Sequence, residues 1–183
     1  MDLNSSKKCN KFNTRKLLHN ELSEFIEIHK KLIPKRNKKM NTYIIKTSNI
    51  LNNLEEDLIK PILNKVLNIL KENNICNFDS TKYYVEFHQR NCGFEKSNYQ
   101  WSDWHYDDYG AVNYEVYTVI FYLRKDLTVK GGNLEYKLNK KLNIHNVNVG
   151  DIVQFSGNLY HKPQPTSGFG CRDIIVVFIK RTN

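Results

Sequence analysis

Apolar residues recur at helical spacing in two stretches of the first half, then give way to strand-like alternation from Lys82 onward. From Thr14, the positions Leu17, Leu18, Leu22, Phe25, Ile26 and Ile28 predict a helix to about Leu32 that Pro34 terminates. Thr42-Tyr43-Ile44-Ile45-Lys46 reads as a short strand. A second helix is predicted from Ser48 to about Asn73 through Leu51, Leu54, Leu58, Ile62, Val66, Ile69 and Leu70, with Pro61 kinking or dividing it. Each helix carries a single apolar stripe, which places both against the outside of a sheet. Residues 1–13 are polar and read as frayed. The basic run Lys35-Arg36-Asn37-Lys38-Lys39 reads as a solvated connection rather than a phosphate site.

The second half is a succession of short strands bounded by Gly, Asn or Asp. Tyr83 to Gln89 is the first, and Tyr117 to Leu123 is apolar on both faces, as in a strand covered on both sides. Within it Thr118, Ile120 and Tyr122 share one face. Gly131-Gly132 permits a tight turn or a close backbone approach before the strand at Leu134. Asp151 to Phe155 and Arg172 to Ile179 complete the set, and Pro163, Pro165, Gly168 and Gly170 keep the chain between them irregular. A length of 183 residues fits one domain, with 1–81 a mainly helical support region and 82–183 the β core.

Composition changes this picture little. The net charge of +9 would ordinarily suggest a polyanionic partner. However, 24 Asn, a predominance of Lys over Arg and the single alanine, Ala111, point to AT-rich coding that fills solvated positions with Lys and Asn. Cys9, Cys76, Cys92 and Cys171 are scattered without paired spacing and read as free thiols of a reducing compartment. With neither a signal-like apolar run nor a span of membrane length, the expectation is an intracellular, soluble, cytoplasmic protein without membrane association.

The candidate chemistry lies in Trp104-His105-Tyr106-Asp107-Asp108. On a strand, His105 and Asp107 would project from one side about 7 Å apart. His161 follows His105 by 56 positions, just past the Asp151 strand. If those strands adjoin, two histidines and a carboxylate meet on one face of a metal, the facial triad of non-haem Fe(II) oxygenases. Arg172, 11 positions beyond His161, opens the most strand-like segment of the chain. A guanidinium entering a buried strand needs an anion, and a dicarboxylate would supply one bidentately. His88 and His145 lack a carboxylate at ligand spacing and read as wall or surface histidines. His19 and His29 fall in the first helical region.

With those residues in view, residues 82–180 resemble the Fe(II)- and 2-oxoglutarate-dependent dioxygenases, and within them the prolyl 4-hydroxylase-like branch. The similar elements are His105-Tyr106-Asp107, Tyr117 to Leu123 with Gly131-Gly132-Asn133-Leu134, Gly150 to Phe155 leading to His161, and Arg172. The resemblance implies a mainly β fold with flanking helices, whose core is a double-stranded β-helix, or jelly roll. It implies Fe(II) held by His105, Asp107 and His161, and 2-oxoglutarate held by Arg172 and Tyr122, with Thr118 lining the same site. The implied reaction uses O2, with ascorbate as an optional reductant, and hydroxylates a protein side chain such as proline, releasing succinate and CO2. Asp108 and Trp104 could orient the ligands. Two departures stand out. Gly168 to Cys171 lengthens the interval from His161 to Arg172, where many members carry lysine. The tyrosine of the strand before the ligands has no clear equivalent, with Tyr83, Tyr84 and Gln89 as substitutes.

Two alternatives remain open at this point. An alkylation-repair type nucleic-acid demethylase would need a second arginine six residues past the first, where Phe178 stands. A non-catalytic metal-binding jelly roll would have no use for Arg172.

Overall fold

In the computed structural model, the described residues are 12–33, 42–47, 53–75, 78–92, 103–107 and 115–181. Cys9, Cys76, Asp108, Pro34 and the Lys35 to Lys39 run lie outside them. The doubly apolar segment is strand β4 (Glu115–Lys125), near the middle of a six-stranded antiparallel sheet. The other strands of that sheet are β1 (Asn13–Lys16), β2 (Thr42–Thr47), β3 (Phe78–Cys92), β8 (Asp151–Ser156) and β11 (Gly170–Arg181). They lie in the order β1-β8-β4-β11-β3-β2. A smaller sheet, ordered β7-β6-β9, is built from β6 (Leu134–Leu138), β7 (Lys141–His145) and β9 (Tyr160–Pro163). The short pair β5 (Lys130–Gly131) and β10 (Thr166–Ser167) lies beside it. Two facing antiparallel sheets of this kind make a double-stranded β-helix.

Alternation along β4 explains why both of its faces are apolar. Tyr117, Val119, Phe121 and Leu123 join a cluster with the helices, while Ile120 and Tyr122 join a second cluster inside the jelly roll. Helices α1 (His19–Leu32) and α2 (Asn53–Glu72) cover the outer face. Phe25 of α1 meets Phe121 edge-on at 5.1 Å, and Ile59, Ile62 and Val66 of α2 are fully buried. The inner cluster gathers Val153 and Phe155 of β8, Ile174 and Val176 of β11 and Leu134 of β6.

The first helix begins later than the apolar spacing predicts. Asn13 to Lys16 pair with β8 as an edge strand, with Thr14 opposite Val153, and Phe12 stacks on Tyr136 at 3.9 Å. The pattern misleads because Leu17 keeps helical phase while its N–H is bound by Gly150 O at 2.8 Å, and Glu21 caps Leu18 N–H to start α1. Pro61 does not divide α2. The carbonyl it leaves without a donor belongs to Asp57, on the exposed side. The support region also contributes β1 and β2 to the large sheet, so it is more than a helical layer. His29 serves packing: it is 2% exposed and its Nε2 donates to His88 O at 2.9 Å. Burial holds its pKa below the usual histidine range, so it stays neutral.

Phe121 joins the helical layer to the sheet without lining the interior. Phe121→Ala should therefore cost about 3 to 5 kcal/mol of folding stability in urea unfolding, and a loss below about 1 kcal/mol would contradict this packing.

Candidate active site

His105 and Asp107 do not lie on a regular strand. Residues 103–107 run beside β9, where His105 and His161 exchange backbone hydrogen bonds of 2.9 and 3.1 Å in an isolated antiparallel bridge. Asp107 follows in a turn fixed by its N–H to Gly157 O at 2.9 Å. The bridge brings the two imidazoles together, with ring centroids 4.4 Å apart. Both Nε2 atoms lie 3.6 Å from Asp107 Oδ1. One donor atom from each of the three residues falls within 4.8 Å of the others, making this a candidate metal centre.

The hydrogen bonds behind the three side chains fit a cation. His161 Nδ1 faces Leu159 O at 2.9 Å, and His105 Nδ1 faces Asp103 O at 2.7 Å. A carbonyl only accepts, so each Nδ1 carries the proton and each Nε2 presents a lone pair toward Asp107. Burial lowers the pKa of His161 against the attraction of Asp107, which keeps that lone pair free. The Nε2–Oδ1 separations of 3.6 Å place the carboxylate oxygen close enough to both imidazoles for the three to hold one cation between them. The donor set of two imidazoles and a carboxylate suits Fe(II).

Thr118, expected to line the cosubstrate site, donates its hydroxyl to Asp107 Oδ2 at 2.6 Å. Both residues are buried, at 1% and 8% exposure. The bond occupies Oδ2 and leaves Oδ1 directed at the histidines. Trp104 does not face this cluster: it flanks His105, stacks on Tyr160 with centroids 5.2 Å apart and lies on the reverse of the sheet.

Arg172 stands on β11 with Ile174, Val176 and Phe178 on its face, as alternation predicts, and is 6% exposed. Its guanidinium carbon is 5.3 Å from the Tyr122 ring centroid, which places the phenol and the guanidinium side by side. Burial raises the Tyr122 pKa, which keeps the phenol a neutral donor. Arg172 Nε is buried without a partner, and no carboxylate among the described residues pairs with the guanidinium. Asp173, the nearest acid in sequence, faces the other way toward Arg124. Register adds to the positive charge by placing Arg90 of β3 and Lys125 of β4 directly opposite Arg172. Like charges so aligned repel unless an anion joins them. Gly132 shapes this corner: a Cβ there would sit 3.1 Å from both Cδ and Nε of Arg172. The sequence marks the glycine pair as a close approach but not what approaches.

Of the three substitutes for the missing tyrosine, Tyr84 lies on the inner face, 5.8 Å from Phe178. Tyr83 packs in the helical cluster, and Gln89 bonds Asp173 on the outer side. The extra segment Gly168 to Cys171 follows β10 as a bend at Gly168–Phe169 that runs into the start of β11, where Asp126 Oδ2 accepts the Cys171 N–H at 2.8 Å. His88 bonds Glu86 at 2.7 Å, and His145 lies 3.4 Å from Asp151, so neither joins the triad. Cys92 and Cys171 are buried and neither is in a disulfide.

Comparison with protein-family models and with curated proteins finds no match. Solved structures do match over nearly the whole chain. A prolyl-4-hydroxylase from Pseudomonas putida aligns with TM-score 0.64 and 10% identity over 96% of this chain and 95% of that one. IDO from Bacillus thuringiensis gives TM-score 0.64 and 16% identity over 94% and 90%. A prolyl hydroxylase from Trichoplax adhaerens, solved with a hypoxia inducible factor peptide fragment, gives 0.65 and 14% over 93% and 84%. The chain has the fold of these oxygenases. At such identities the likeness is one of architecture, and function rests on the residues themselves.

If Thr118 holds Asp107, then Thr118→Val should weaken Co(II) binding by about ten- to a hundredfold while Thr118→Ser restores it. Anaerobic Co(II) titration checks this, and an unchanged affinity in Thr118→Val would remove the residue's assigned part.

Proposed function

We propose that this chain is an Fe(II)- and 2-oxoglutarate-dependent oxygenase of the prolyl 4-hydroxylase-like kind that hydroxylates a polypeptide side chain, proline first among the candidates. The observation that carries the reading is the buried Arg172, which has an unpartnered Nε and no carboxylate partner among the described residues, on the inner face of a jelly roll that also holds a two-histidine, one-carboxylate cluster. When bound, Fe(II) and 2-oxoglutarate supply activation of O2 with release of succinate and CO2, and so the hydroxylation of a C–H bond.

In this reading His105, Asp107 and His161 would hold the metal. Arg172 takes the far carboxylate of 2-oxoglutarate, with Tyr122 as a second donor. The apolar interior of Ile120, Val153, Ile174 and Val176 excludes water around these groups and strengthens the charge pairing. Polypeptide as the substrate class finds support in the prolyl hydroxylases among the fold neighbours, one of them solved with a peptide. A nucleic-acid demethylase would place a second guanidinium where Phe178 packs against the inner cluster. No helix among the described residues is long and apolar enough to cross a membrane.

Charge-assisted hydrogen bonds contribute about 1.5 to 3 kcal/mol, so Arg172→Ala should weaken 2-oxoglutarate binding by roughly ten- to a hundredfold or more with metal binding retained. Tyr122→Phe should act in the same direction more mildly, since it removes a neutral donor. Calorimetric titration of the metal-loaded variants, together with succinate release on a peptide panel, tests the reading. Unchanged affinity in a folded Arg172→Ala would overturn it.

A further inference from the structure

The residues that flank the candidate ligands build a surface of their own. Trp104 and Tyr106 alternate with His105, and Tyr160 and Lys162 alternate with His161, so all four project from the reverse of the small sheet. Register extends this face from β9 across β6 to β7. Lys137 of β6 lies opposite Tyr160 on one side and Leu142 of β7 on the other, while Glu135 lies between Lys162 and Ile144. Tyr106 rests on Tyr160 with ring centroids 4.7 Å apart, and Trp104 stacks on the same ring. Lys137 Nζ sits 4.9 Å from the Trp104 centroid and 5.3 Å from that of Tyr160, and Lys162 Nζ sits 5.2 Å from Trp104.

We infer that this face docks an acidic polypeptide segment bearing apolar side chains. Charge comes first: Lys162 pairs with Glu135 at 3.1 Å, whereas Lys137 has no carboxylate partner among the described residues. Its ammonium lies over two rings, which favour that position, so an incoming carboxylate meets a cation held near the face. Lys140 and Lys141, both exposed in the adjoining turn and strand, extend the positive field. The apolar component is equally marked, since Tyr106, Leu142 and Ile144 are 46%, 58% and 51% exposed.

The same details disfavour a single-stranded nucleic acid. Base stacking needs open ring faces, and here the Trp104 and Tyr160 rings stack on each other with ammonium groups over them. Among the described residues the face holds lysines and no arginine, the side chain that clasps phosphate bidentately, and its exposed Leu142 and Ile144 offer nothing to a phosphate backbone. Because the face lies behind the ligands, it anchors the polypeptide while another part of that chain enters the pocket. That last step rests on the proposed oxygenase reading; the docking itself does not.

The test uses the full chain and three fluorescent probes: a peptide alternating glutamate and leucine around a central proline, its counterpart with lysine for glutamate, and an oligothymidylate. The acidic peptide should bind best, and more weakly as salt rises. Lys137→Glu combined with Lys162→Glu should weaken it by about tenfold or more, with Co(II) and 2-oxoglutarate binding unchanged. Undetectable binding of the acidic peptide, binding unaltered by the double substitution, or tighter binding of the oligothymidylate would each overturn the inference. Loss of docking with metal and 2-oxoglutarate binding intact leaves the oxygenase reading standing. Docking without 2-oxoglutarate binding would remove that reading alone.

Discussion

A guanidinium taken out of water needs an anion, and Arg172 places that demand in the wall of this jelly roll. Its neighbours across the sheet are Arg90 and Lys125, its sequence neighbour Asp173 faces the helices, and Gly132 has no side chain to keep the backbone from closing over it. An apolar residue at position 172 would suit Ile174 and Val176 better if the protein were only a scaffold. Among the described residues the interior thus holds both a metal-ligating cluster and a cationic corner, with apolar packing between them. A metal-chelating dicarboxylate, the ligand of the proposed function, would satisfy both.

The large sheet makes this arrangement possible by being apolar on both faces. Phe121 and Val119 face the helices, which stiffen the sheet from outside, and Thr118, Ile120 and Tyr122 on the same strand face the interior. One strand therefore carries fold stability on one side and, on the other, the hydroxyl that holds Asp107 and the phenol that meets Arg172. The small sheet repeats this economy: His105 and His161 point in, while Trp104, Tyr106 and Tyr160 point out.

Much of this was legible in the chain because period-2 alternation assigns faces without reference to partners. That logic located Tyr122 with Thr118, and Arg172 with Ile174 and Val176, while His88 and His145 were set aside on ligand spacing alone. It failed where backbone bonding overrides side-chain pattern. Thr14 to Lys16 looked helical because Leu17 and Leu18 keep helical phase, yet they complete a sheet edge. Trp104 to Asp107 looked like a strand, yet one bridge and one turn hold it. Thr118 was placed on the right face, but its bond to Asp107 depends on a turn whose geometry no spacing encodes. Gly132 signalled a close approach without naming Arg172, which is distant in sequence.

The central claim is that Arg172 is built for the distal carboxylate of a chelating keto acid. The most direct measurement compares 2-oxoglutarate with 2-oxobutyrate, which keeps the keto acid and lacks the second carboxylate, in anaerobic calorimetric titrations of the Fe(II)-loaded chain. The account predicts that 2-oxoglutarate binds more tightly by about a hundredfold, through charge-assisted bonds to a buried guanidinium. Equal affinities for the two acids would contradict it.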